Sequence, residues 1–257
     1  MKNQRLISLQ GANNFRDLGG YQNKEGKVVR WQKIYRADSL AELTNEDLEK
    51  LASLNIVKDF DLRSNYEQSL ASDRKWKKVS QIDAHIYEEG NEDISPEINQ
   101  KSKLLTSLPR IDTYLGSVYQ KALLNPVAKM AFRKIFVGLL DLKPDQALVF
   151  HCTMGKDRTG MVAALILTGL EIDLETITKD YLLTNQVAQF NLQEQDFPKS
   201  DLNKMIEKMN ISRADTESLM GITKTLEKSF GGFENYFINE LGFTSADLKE
   251  FRESYLI

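Results

Sequence analysis

Residues His151–Gly160 read HCTMGKDRTG, and their order can do chemistry. Cys152 is the single cysteine among 257 residues. The apolar run Ala147–His151 (ALVFH) before it reads as a buried strand. Met161–Leu170 (MVAALILTGL) after it reads as a buried helix. Cys152 therefore sits at a strand-to-helix turn beside a helix N-terminus. Free amide N–H groups and the helix dipole there favour negative charge, so a thiolate is favoured and a phosphate can be cradled. Arg158, six positions on, carries a planar fork that clasps two phosphate oxygens. Thr159 can donate its hydroxyl to the thiolate and make it a better leaving group. His151 can fix the cysteine from behind by bonding to backbone, an orienting role without proton transfer.

These parts suit phosphoryl transfer to sulfur. Cys152 attacks phosphorus, Arg158 and the loop amides hold the equatorial oxygens, and a phosphocysteine forms that water hydrolyses. No metal or other cofactor is required. The pattern has a chance frequency on the order of one in 10⁷ per start position. A buried structural cysteine is the commonest fate of a single Cys. That reading leaves Lys156, Asp157 and Arg158 unexplained beside it.

Composition narrows the class. Lys+Arg 34 against Asp+Glu 37 gives a net charge of −3, which argues against a nucleic-acid partner. One cysteine permits neither an internal disulfide nor a cysteine zinc cluster. A hydrophobic fraction of 41% with 28% charged residues is that of a compact globular chain. Met1–Gln10 lacks the apolar core of a secretory signal. The 10-residue run Met161–Leu170 is about half of what spans a bilayer. The expectation is a soluble, cytoplasmic protein without stable membrane insertion, export by a route lacking a cleavable signal being left open. Composition sets no oligomeric state.

The positioning elements are legible in outline. Neither repeats nor low-complexity linkers interrupt the chain, so residues 1–257 read as one domain. Asn14–Tyr21 (NFRDLGGY) reads as a polar, Gly-ended turn and Lys33–Arg36 as a short strand. Thr44–Leu54 is a helix with a Thr44/Asp47 capping box. Ile56–Leu62 and Val79–Ile86 alternate as strands, with a short helix Asn65–Ala71 between them. Tyr87–Lys103 is acidic and reads as a long loop or lid, part of an insertion over about 87–125. Ile111–Leu124 and Pro126–Leu140 are amphipathic helices, the second capped by Asn125. Helices fill most of the rest; Gly231–Gly232 ends one, and Thr244 with Asp247 caps the last. The expected class is α/β, with a small central sheet flanked by helices and a helical C-terminal third.

HCTMGKDRTG resembles the signature of the cysteine-dependent protein tyrosine phosphatases: His-Cys, five residues, then Arg and Ser or Thr. Together with NFRDLGGY it is similar to the bacterial class that includes mycobacterial tyrosine phosphatase B. Tyr35–Leu40 (YRADSL), Asp61–Arg63 followed by Glu67, Asp180–Asn185 (DYLLTN) and Gly232–Thr244 (GFENYFINELGFT) agree in order and spacing. The resemblance implies a phosphatase fold with a helical lid over a deep pocket. It implies Cys152 as nucleophile and Arg158 as clamp, with Thr153, Met154, Gly155, Lys156 and Asp157 forming the phosphate loop. It implies phosphotyrosine as substrate, extending in some members to phosphoserine, phosphothreonine or phosphoinositide. Lys156 then either meets a charged inositol headgroup or faces solvent.

The general acid has two candidates. The expected acid loop falls at Tyr87–Asp93, where Asn91 occupies the aspartate's place; Asp157, inside the phosphate loop, is the preferred one. Arg16, Asp17, Arg36, Asp61 and Arg63 read as structural ion pairs below the loop. A sharper alternative has Asp17 or Asp61 positioning Arg158. His85 reads as a strand residue near the site. Two further functions compete. A rhodanese-type sulfurtransferase also uses a loop cysteine, but the five-residue gap to Arg158 counts against it. A catalytically dead phosphate-binding scaffold is opposed by the intact Cys152, Arg158 and Thr159.

Overall fold

A computed structural model describes residues 4–88, 108–187 and 201–257. Most of the Tyr87–Lys103 segment read as a lid, and Asn91 with it, lies outside the described residues.

Five strands form one mixed sheet in the order β1-β2-β5-β3-β4. They are β1 (Arg16–Asp17), β2 (Ile34–Ala37), β3 (Ile56–Asp61), β4 (Ser80–Asp83) and β5 (Ala147–His151). Only β1 runs antiparallel, against β2. Ala37 and Asp61 both pair with His151, and Asp61 pairs with Asp83, so all four parallel strands end in one row. The turns that follow them share one edge, where open α/β sheets bind ligands. Every residue of β5 is buried. Leu148 and Phe150 enter one core and Ala147 and Val149 the other, the period-two alternation of a strand covered on both faces.

The helices obey local sequence chemistry. Capping boxes open α1 (Asn45–Ser53, from Thr44 and Asp47) and α2 (Asn65–Leu70, from Ser64 and Glu67). Thr113 caps α3 (Tyr114–Ala122), and Asn125 with Pro126 starts α4 (Pro126–Leu140). The apolar α5 (Asp157–Gly169) is buried nearly all round, as expected of a helix without a polar face. It is followed by α6 (Leu174–Val187), α7 (Asp201–Ile211) and α8 (Thr216–Phe230), the last ending at Gly231 with φ 72°. Helix α9 (Ser245–Tyr255) closes the chain from a Thr244/Asp247 box.

Helix α3 packs on α8 through glycines: a Cβ on Gly221 would lie 2.1 Å from the Gly116 carbonyl oxygen. The C-terminal aromatic pattern is core filling. Phe136 meets Phe237 edge-on at 5.1 Å and Phe251 at 5.4 Å, while Phe237 stacks on Phe243 at 4.3 Å.

Three expectations shift. Asn14–Tyr21 is more than a turn, because Arg16–Asp17 pair with the sheet and are buried. Two residues are too few to show strand periodicity. The strand expected at Lys33–Arg36 runs Ile34–Ala37. The strand expected over Val79–Ile86 contracts to Ser80–Asp83, although the Ala84 and Ile86 amides still donate to the carbonyls of Asp61 and Leu62.

Candidate active site

Cys152 lies at the carboxyl end of the central strand β5 and is 2% exposed. The loop after it turns its carbonyls outward. Thr153 O accepts from the Ser39 amide at 3.1 Å. Met154 O and Gly155 O accept from Asn14 Nδ2 at 3.0 and 3.1 Å, and Gly155 O also accepts from Arg36 Nη2 at 2.8 Å. Gly155 has φ 62°, and a Cβ there would come 2.5 Å from Ala37 O, so only glycine fits both the turn and the approach. Helix α5 begins at Asp157 without a side-chain cap, which leaves its first amides to the loop.

Arg158, 1% exposed, makes a two-pronged pair with Glu67: Nη1 to Oε2 at 2.5 Å and Nη2 to Oε1 at 2.8 Å. Glu67 also accepts from Thr153 Oγ1 at 2.5 Å and from the Ser64 amide at 3.0 Å. Burial alone would raise its pKa. Arg158, Thr153 and Ser64 outweigh that and hold it down at about 2. Neither Asp17 nor Asp61 reaches Arg158, which corrects that alternative. Asp17 accepts from the Gly19 and Gln32 amides, both at 2.7 Å. Asp61 faces its own near neighbour Arg63, with Oδ2 2.7 Å from Nη2, and Arg63 continues to Asp73 at 2.9 Å. In the sequence Glu67 stood out only as following the Asp61–Arg63 motif; a Ser64/Glu67 capping box after a parallel strand's carboxyl end was the available signal.

The Glu67 pair carries a stability prediction. A carboxyl held below its usual value stabilises the fold above about pH 4.5, and that contribution is lost as pH falls towards 2. Its full size is about 3 kcal/mol. In urea unfolding between pH 5 and 2.5, Glu67→Gln should therefore show a shallower acid limb than the unmodified chain. Parallel limbs would show that the pair does not set acid stability.

His151 is fully buried with Nδ1 3.5 Å from Cys152 O, the backbone contact expected of it. Its Nε2 lies 3.1 Å from Asp73 Oδ2 and 3.3 Å from Asp59 Oδ1. Burial opposes its charge, but Asp73, Asp61 and Asp59 raise its pKa well above the usual imidazole value. His85, near the end of β4, pairs with Asp83 at 2.8 Å.

Asp157 is buried, and two tyrosines meet its Oδ1. Tyr119 from α3 donates to it, Tyr181 from α6 stands at 3.5 Å, and the two hydroxyls bond each other at 2.9 Å. Lys156 Nζ lies 3.2 Å from Asp157 Oδ2. Burial pushes the Asp157 carboxyl up. Lys156 itself is fully buried and donates to Met209 O at 2.5 Å and to Ser212 O, at the C-terminal end of α7. Both expectations for its side chain, headgroup contact and solvent exposure, give way to this. The carbonyls ending a helix are its negative pole and draw the ammonium away from the loop. Tyr119 and Tyr181 had no sequence signal as site residues, since each also fits a helix's apolar stripe.

Arg158 Nε, Thr159 Oγ1 and Tyr87 OH are among the buried donors here that have no acceptor among the described residues. The expected Thr159 bond to sulfur is thus not made, sulfur being a weak acceptor when protonated. Tyr87 follows Ile86 at the sheet edge, and Arg158 and Asp157 stand close enough for their charges to act on its phenol. Unpaired donors around a loop of inward amides suit a multiply charged oxyanion.

A buried cysteine heading a loop whose carbonyls are tied by Asn14 and Arg36, with Arg158 clamped by Glu67, is an arrangement suited to holding an oxyanion. The chain matches the tyrosine phosphatase family over residues 7–257 and belongs to it, in line with the resemblance carried by HCTMGKDRTG and NFRDLGGY. It is 31% identical, over 72% of its length, to a Cupriavidus necator protein named "Putative tyrosine-protein phosphatase", covering 65% of that protein. It is 30% identical over 58% of its length to a Nostoc commune tyrosine-protein phosphatase, covering 47% of that chain. The chain thus matches less than two thirds of the length of these two relatives. Over 95% of its length it is 25% identical to the Mycobacterium tuberculosis triple specificity protein phosphatase PtpB, covering 96% of that protein. Among the described residues, no helix is long and apolar enough to cross a membrane.

Proposed function

We propose that this chain hydrolyses phosphotyrosine through a phosphocysteine on Cys152. The observation that carries the reading is the loop itself: a buried thiol heading a loop whose Met154 and Gly155 carbonyls are tied by Asn14 and Arg36, with Arg158 held by Glu67. In the first step the thiolate attacks phosphorus and the tyrosyl oxygen departs. The amides of the Thr153–Asp157 loop and Arg158 hold the three equatorial oxygens. In the second step water displaces sulfur and Thr159 can donate to the leaving thiolate. Arg158 and the loop amides supply the charge that a metal supplies elsewhere, so the reaction is expected to need none.

Depth favours an aryl ester. Cys152 is 2% exposed, and a long, flat phosphotyrosine reaches it better than phosphoserine does. Lys156 is committed to helix carbonyls, which weakens the case for an inositol headgroup. The name of the mycobacterial relative supports a wider range, so phosphothreonine peptides and phosphoinositides belong in the substrate panel.

Asp157 is the proposed acid for the leaving oxygen and base for the attacking water. Its carboxyl, raised by burial, is poised to carry a proton, with Tyr119 and Tyr181 orienting it. The expected result is vanadate-sensitive, EDTA-insensitive hydrolysis of aryl phosphates and phosphotyrosine peptides. Asp157→Asn should lose about 10²-fold on alkyl-like leaving groups and much less on p-nitrophenyl phosphate, steepening the dependence on leaving-group pKa. An unchanged dependence removes Asp157 from the role. Thiosulfate-to-cyanide sulfur transfer without ester hydrolysis would replace the phosphatase reading altogether.

A further inference from the structure

The phosphate loop owes its shape to a residue that never faces the thiol. Each peptide unit has its N–H opposite its C=O, so tying a carbonyl outward aims the adjoining amide inward. Asn14 Nδ2 spends both hydrogens on successive loop carbonyls, those of Met154 and Gly155. Arg36 Nη2 makes a second bond to Gly155 O. The amides thereby turned inward are those of Gly155 and Lys156. Gly155, with φ 62°, is the point where either peptide could rotate at little cost, because glycine has no Cβ to oppose it.

The Asn14 amide has only one consistent orientation. Its Oδ1 accepts from Arg16 Nη1, which can only donate, and its Nδ2 faces carbonyls, which can only accept. Arg16 is fixed in turn on Asp180 Oδ1 at 3.1 Å, and Arg36 on Asp180 Oδ2 at 2.6 Å. Asn14, Arg16, Arg36 and Asp180 are all 1% exposed or less, so water does not compete for these bonds.

We propose that Asn14 and Arg36 are positioning residues that set the oxyanion affinity of the loop by locking the Met154–Gly155 and Gly155–Lys156 peptides with their amides inward. This inference rests on the phosphatase reading for its purpose, but its readout is anion binding. Without the tether the two peptides rotate freely. A loop carbonyl then faces the phosphate in a fraction of molecules, replacing attraction by repulsion at the attacked centre.

Asn14→Asp is the discriminating variant. It keeps the side-chain shape and gains an ion pair with Arg16, yet presents an acceptor where the two carbonyls need a donor. The expected result is inorganic phosphate binding, measured by calorimetry, and vanadate inhibition both weakened at least about tenfold, the size of one lost bond to a charged group. Iodoacetamide alkylation of Cys152 at pH 6 should slow by a similar factor, because the same amides stabilise the thiolate. A merely structural role for Asn14 would lower the melting temperature and leave these ratios unmoved. A folded Asn14→Asp with phosphate affinity and alkylation rate within about twofold of the unmodified chain overturns the proposal. Should that variant fail to fold, Asn14→Ser, too short to reach the carbonyls, takes its place in the same two measurements, with the same outcomes for and against. Intact phosphate binding without ester hydrolysis in the unmodified chain would instead count against the phosphatase reading.

Discussion

Cys152→Ser is expected to bind phosphate within a few-fold of the unmodified chain while losing turnover by on the order of 10⁴ or more. A hydroxyl at this place is un-ionised near neutrality and needs a base, as serine nucleophiles elsewhere do. Each neighbouring group that could take the proton is committed. His151 points its Nε2 between Asp59 and Asp73, whose carboxylates favour its protonated form. Glu67 is spent on Arg158 and Thr153. Asp157, as the proposed acid, enters the first step already carrying a proton and cannot accept a second. The binding parts stay in place, since the loop carbonyls are tied by Asn14 and Arg36 rather than by sulfur. The variant should therefore retain phosphotyrosine peptides without hydrolysing them. The checks are initial rates with p-nitrophenyl phosphate and titration of inorganic phosphate. Residual activity above about 1% would mean that sulfur is not the nucleophile.

Asp180→Asn should be strongly destabilising. Asp180 lies on α6 and neutralises two arginines from the N-terminal segment, Arg16 at 3.1 Å and Arg36 at 2.6 Å, and accepts from Tyr21 OH at 2.9 Å. Burial alone would raise its carboxyl; the two guanidiniums hold it far below the usual carboxylate range. Arg36 is itself pushed down to about 10 by burial and by Arg16. An amide leaves two cations about one side chain apart, buried and uncompensated. Breaking such a pair typically costs about 3–5 kcal/mol, a large part of the roughly 5–15 kcal/mol that holds a domain folded. The urea midpoint should fall by about 1 M or more. A shift under about 0.3 M would show that the arginines find other partners.

The two arginines also show what kind of information the sequence holds. NFRDLGGY, YRADSL and DYLLTN are individually weak motifs, far apart along the chain. The structure joins them at one carboxylate, which explains their charges: Arg16, Arg36 and Asp180 form one buried cluster below the phosphate loop. Of the charges read as structural pairs, Asp17 accepts from backbone amides, while Arg16 and Arg36 meet Asp180, which had no such reading. Their partner lay 164 and 144 residues away, a distance that local periodicity does not span. Glu67 was visible only as following the Asp61–Arg63 motif, and both of its oxygens hold Arg158. Lys156 read equally as a headgroup contact or as a charge facing solvent. The carbonyl end of α7 takes it instead, and that helix lies some fifty residues downstream.

By itself, the sequence determined what is local and covalent in its logic. The strand ALVFH, the turn HCTMGKDRTG and the apolar helix behind it follow from short-range patterning, capping and glycine chemistry. So does the placing of Cys152 and Arg158 at the two ends of one loop, because six residues of spacing suffice to curl a loop around a phosphate. Tertiary structure alone decided which charge meets which. Pairing of Arg158 with Glu67, of Lys156 with α7, and of Asp157 with Tyr119 and Tyr181 depends on how helices from distant segments pack over the sheet edge. A buried ion has only the partners that packing brings within about 3 Å, and desolvation makes that choice decisive.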